Sequence, residues 1–106
     1  MEHQQLAIEA VRQYLEHEFP GRDVADFRDT PYQGRTFRVD DETGTRVAGL
    51  TLPTAMVDEL HDADPESFVD GLREMLKEKH VAAGLRAEGR RKRVVLTRDG
   101  YDVLSL

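Results

Sequence analysis

The chain has 106 residues, a formal net charge of −6 and no cysteine, which excludes disulfide frameworks, thiolate chemistry and Cys-ligated zinc. At this length one domain can close a core without a metal or a cross-link, so residues 1–106 are expected to form a single domain. Charged residues reach 34% and apolar ones 39%, but the apolar residues recur at regular periods, which separates the chain from disordered sequences.

Residues 3–19 predict an amphipathic helix, with Ile8, Val11, Leu15 and Phe19 on one face, Ala7 and Tyr14 beside them, and Pro20-Gly21 as its stop. Residues 24–29 form a weaker strand candidate, broken by Thr30-Pro31. Residues 35–40 alternate, placing Phe37 and Val39 opposite Thr36, Arg38 and Asp40. The turn 41–44 then leads into a partner strand, 45–52, whose inner side is Ala48, Leu50 and Leu52. A short helix over 55–61 follows, with Met56, Val57 and Leu60 as its apolar side. Asp64 and Pro65 suit the start of a longer helix with a stripe of Phe68, Leu72, Met75 and Leu76, ending at Gly84. Residues 86–93 read as a charged loop, and 94–97 and 101–106 as a final hairpin turning at Asp99-Gly100.

These elements predict an α+β fold in the order α-β-β-β-α-α-β-β, with a small antiparallel sheet covered on one face by helices. The segment MEHQQLAIEA lacks a basic stretch followed by an apolar run, so no signal peptide is expected. No apolar stretch approaches the ~18–20 residues of a membrane helix. A soluble, cytoplasmic chain without membrane contact is the expectation.

Chemistry-bearing patterns are sparse. The four histidines, His3, His17, His61 and His80, include no i, i+4 pair. Asp62, Asp64 and Glu66 alternate as in a calcium loop, but Pro65 interrupts them and Arg73 stands where a closing glutamate is needed. Neither Ser67 nor Ser105 lies in a nucleophile elbow, and no glycine-rich loop joins a strand to a helix. No catalytic residue, metal or cofactor is therefore expected, and no small-molecule ligand is evident.

One segment is unusual. Residues 84–98 hold Arg86, Arg90, Arg91, Lys92, Arg93 and Arg98 against Glu88 alone, a local +5 that leaves −11 on the rest. Arginine forks grip phosphates and carboxylates, so Arg86, Arg90, Arg91, Lys92 and Arg93 are candidates for an anion or partner contact. The bland reading is a solvated connector paired with the chain's own acids. No aromatic residue interleaves with the run, which disfavours base stacking.

In element order the first five elements resemble double-stranded RNA-binding domains. That family's last helix begins with basic residues, whereas Asp64-Pro65-Glu66 here would repel phosphates. Residues 46–82 resemble a ribbon-helix-helix protein, in which Val47, Gly49 and Thr51 would face the major groove and only Thr51 could read a base edge. The element order and acidity are also similar to small dimeric secretion chaperones, an analogy of fold alone.

The expected function is a non-enzymatic protein-interaction module, a homodimer or partner binder using its terminal hairpin. The −11 and +5 regions of two copies would favour a charge-matched contact. The alternative is a nucleic-acid- or phosphate-binding regulator using the basic loop.

Overall fold

In the computed structural model, residues 2–105 are described. Helix α1, His3–Glu18, starts where the Glu2 carboxylate accepts hydrogen bonds from the Gln4 and Gln5 amides, at 2.8 and 3.2 Å. It buries Ala7, Ala10, Val11, Tyr14 and Leu15. Ile8, expected in the stripe, is only half-buried and packs against the margin of the core.

Strands β1 (Asp23–Asp29), β2 (Gly34–Asp40) and β3 (Arg46–Pro53) form an antiparallel meander, with a 3-10 turn, Thr30–Tyr32, between the first two. Phe37 lies opposite Leu50, and Val39 opposite Ala48, as the alternation predicts. Helices α2 (Thr54–Ala63), α3 (Phe68–Glu78) and α4 (Val81–Glu88) carry the chain to β4 (Lys92–Thr97), and β5 (Gly100–Ser105) completes the sheet in the order β1-β2-β3-β4-β5.

The sheet is mixed. The crossover through three helices returns the chain to the end at which β3 began, so β3 and β4 run parallel, paired at Leu50↔Val94 and Thr51↔Val95. The expectation of an antiparallel sheet is corrected on that point, while the order of elements is as predicted.

The helix predicted to run from Asp64 to Gly84 is divided. Asp64 closes α2, and its carboxylate accepts a bond from the Ser67 amide at 3.1 Å, so α3 begins only at Phe68. The chain breaks again at Lys79-His80, where His80 adopts a left-handed conformation, φ +54°. The Tyr14 hydroxyl spans this break: it donates to the Leu76 carbonyl at 3.1 Å and accepts from the Ala82 amide at 2.9 Å. Gly84 does not terminate a helix. It is buried inside α4, and a Cβ there would lie 2.4 Å from the Tyr101 hydroxyl.

The last turn is Arg98-Asp99, one residue earlier than expected, closed by the pair Thr97↔Gly100 with Gly100 at φ +141°. Leu106, expected in the return strand, lies outside the described residues.

All four helices pack on one face, and the buried apolar residues form one cluster. Phe37, Leu72 and Leu96, from three separate parts of the chain, are each at most 1% exposed. No described helix is long and apolar enough to cross a membrane.

Candidate anion-binding and pairing surfaces

The end of the sheet where the parallel strands β3 and β4 begin is basic. Arg86, Ala87 and Glu88 from the end of α4, Arg90 and Arg91 from the following turn, and Lys92 from β4 border an open cleft of 470 Å³. The residues after α1 bring Phe19 and Arg22 to its other side, with Val47 between. Four of the five predicted contact residues are thus brought together.

Two of the four are already engaged. The Arg86 guanidinium donates to the Glu18 carbonyl at 2.7 Å and lies 5.0 Å from the Phe19 ring centre. Lys92 pairs with Glu88 at 3.1 Å. Arg22, Arg90 and Arg91 make no ion pair among the described residues.

Arg93 is elsewhere. Strand alternation buries Val94 and Leu96 against the helices and turns Arg93 to the helix-free face. Its Nη1 donates to Asp29 at 2.8 Å, Thr51 at 2.9 Å and Thr36 at 3.2 Å, and the Tyr32 ring covers its guanidinium at 4.0 Å. Burial alone would raise the Asp29 pKa. The Thr36 hydroxyl and the Arg93 guanidinium outweigh it and hold the carboxyl below its usual value. Arg93 therefore belongs to an internal network tying β1, β2, β3 and β4 together, not to the cleft.

Sequence reasoning missed Arg22 and Phe19, which reach the cleft only through the fold. It also missed Asp29 as a buried partner. The signal for the network was the polar side of residues 35–40, to which Thr36 belongs.

The two sheet edges differ. β1 carries Asp23, Asp26, Arg28 and Asp29 among its seven residues, whereas β5, GYDVLS, carries Asp102 alone. On β5, Val103 is 37% and Leu104 40% exposed. Charge blunts the first edge and leaves the second open.

The helices bring together two histidines that are far apart in sequence. His3 and His61 stack with ring centres 4.2 Å apart, and His3 Nε2 lies 2.7 Å from Asp58. The hydrogen bonds from His3 and Gln4 hold the Asp58 pKa below its usual value.

No protein-family model, curated protein sequence or solved structure matches the chain.

Proposed function

We propose that the protein is a non-enzymatic interaction module that self-associates through β5. The observation that carries this is the contrast between edges: β5 presents a row of backbone donors and acceptors with exposed Val103 and Leu104 and one charge. Such an edge is a template for another strand, and antiparallel pairing with a second copy satisfies both chains with the same residues. A two-fold axis perpendicular to the sheet keeps both helix layers on one side. Directly opposed residues then share a face, so pairing centred on Val103 sets Asp102 against Leu104 of the other copy and no like charges meet.

Sedimentation equilibrium from low to high micromolar concentration tests this reading. The wild type is expected to shift toward twice the monomer mass, and the double variant Val103→Lys/Leu104→Lys to remain monomeric. Both positions are exposed, so folding stability should move by only about 0.5 kcal/mol. A wild type that stays monomeric at high micromolar concentration overturns the reading.

A second reading is favoured by Arg22, Arg90 and Arg91 around the cleft, which make no ion pair among the described residues and offer a place for an anionic group on a partner. A short acidic segment suits it better than a nucleic acid. The remaining −11 opposes a long polyanion, and fields fade over about 8 Å at physiological salt. Replacing Arg22, Arg90 and Arg91 by Ala should abolish salt-sensitive retention on a polyanion column, and unchanged retention would exclude this use. Arg93 is left intact in that variant because its partners are internal.

A further inference from the structure

The helix-free face of the sheet holds a second cationic feature, separate from the basic cleft and from the β5 edge. Alternation along β2 and β4 places Arg38 and Arg93 on this face. Arg46, the first residue of β3, reaches the same place because Gly49 has no side chain. A Cβ at Gly49 would lie 2.2 Å from Arg46 Nη2 and 2.6 Å from its Cζ. The glycine in mid-strand is thus the seat of a guanidinium lying flat across the backbone. Arg38, Arg46 and Arg93, with Phe27, Thr36 and Gly49, line a cavity of 110 Å³.

Local charges do not balance. Arg38 pairs with Asp40 at 2.6 Å and Arg93 with Asp29 at 2.8 Å. Arg46 has no carboxylate partner among the described residues; its Nη2 donates to the carbonyls of Gly89 and Lys92, both at 3.2 Å. Three guanidinium charges therefore face two carboxylates. Burial, with Arg93 and Arg38 nearby, pushes the Arg46 pKa below its usual value, although a guanidinium remains charged at neutral pH. The Nε atoms of Arg46 and Arg93 are buried without a hydrogen-bond partner among the described residues. A guanidinium recognises a planar or tetrahedral oxyanion through paired N–H donors, and such donors left unmade are costly.

We propose that this pocket binds one oxyanion group, a carboxylate or a phosphate, of a small organic ligand whose apolar body rests on Phe27 and Tyr32. The volume equals about three or four waters at their ~30 Å³ share of the liquid, room for a head group but not for a nucleotide. The body stays outside, where Phe27 is 50% and Tyr32 41% exposed. The added negative charge completes the count around Arg46, and each guanidinium keeps its present protein partners.

Titration of the full chain with phenyl phosphate, benzoate and inorganic phosphate, at ionic strength held constant with chloride, tests the site. The readouts are thermal unfolding and backbone amide shifts. A saturable rise in midpoint is expected with phenyl phosphate or benzoate, and the stronger of the two identifies the head group. Inorganic phosphate should act more weakly than phenyl phosphate, and the largest shifts should fall at Thr36, Arg46, Gly49 and Arg93. Arg38→Gln, at an exposed position, and Gly49→Ala, which displaces Arg46, should each weaken binding about tenfold or more. Arg90→Ala/Arg91→Ala should leave it unchanged. Absence of a saturable effect in the wild type overturns the proposal. So does an effect that survives Arg38→Gln, or one lost with Arg90 and Arg91.

Discussion

Removing the Arg93 side chain would take a charged donor from three side-chain oxygens at once and leave them only the bonds of Thr36 to Asp29 and Thr51, at 2.7 and 2.8 Å. Asp29 and Thr36 are nearly buried and Thr51 is fully so, and one guanidinium nitrogen serves all three. Breaking a fully buried pair costs about 3–5 kcal/mol; with Arg93 one-fifth exposed, Arg93→Ala should destabilise by about 2–3 kcal/mol. Urea unfolding measures this, and a loss below about 0.5 kcal/mol would show that the network contributes little. The same network sets an acid response. Asp29 has a folded-state pKa below the ordinary 3.8, so its contribution is present above that value and disappears as pH falls through the lower, folded-state one. Asp29→Asn should therefore be the less stable protein at pH 7 and should lose less than the wild type between pH 7 and pH 2.5. Parallel curves would contradict the assignment. Arg93 also marks how far a charge run can be read from sequence. Residues 90–93 look like one basic loop, but β4 begins at Lys92, and the two-residue period sends Lys92 and Arg93 to different surroundings. Where a strand starts inside a charged run is decided by its partner strands, which local composition does not encode.

Between α3 and α4 the chain breaks at Lys79-His80 with neither glycine nor proline to announce it. The glycine that does stand nearby, Gly84, is spent on packing against Tyr101. A glycine marks a helix end and a close approach equally well, and only the three-dimensional neighbour distinguishes them. The two glycines of this helical stretch should respond oppositely to substitution. Gly71 is exposed in α3 with nothing within 4 Å of a Cβ, so Gly71→Ala should stabilise by about 0.5–1 kcal/mol. Gly84→Leu should destabilise by about 1–3 kcal/mol, since the Tyr101 ring must leave its place. Thermal unfolding of the pair decides it, and stabilisation by both would mean that Gly84 is a mere propensity defect. The strands were more legible than the helices. Phe37, Val39, Ala48, Leu50 and Leu52 alternate without interruption, and a one-residue slip would turn all of them outward, so their register is firmly specified. The parallel pairing of β3 with β4 was not legible, because it rests on only two opposed pairs and on how three helices fold back.

For the molecule as a whole, charge and edge make opposite demands. A net −6 keeps two copies apart over long range, while β5 offers them almost no charge at contact. Salt screens the repulsion and leaves the strand contact intact, so self-association should strengthen as salt rises. Binding of an acidic segment in the cleft of Arg22, Arg90 and Arg91 should weaken over the same range. Sedimentation at 0.05 and 0.5 M salt separates the two, and dimerisation that falls with salt would point to the cleft instead of the strand. The most direct test of the β5 edge is amide hydrogen exchange at low and high micromolar protein concentration. Self-pairing predicts that amides within residues 101–105 become more protected as concentration rises while those of 23–29 do not change. Exchange in β5 that is independent of concentration, or protection that grows in β1 instead, would contradict it.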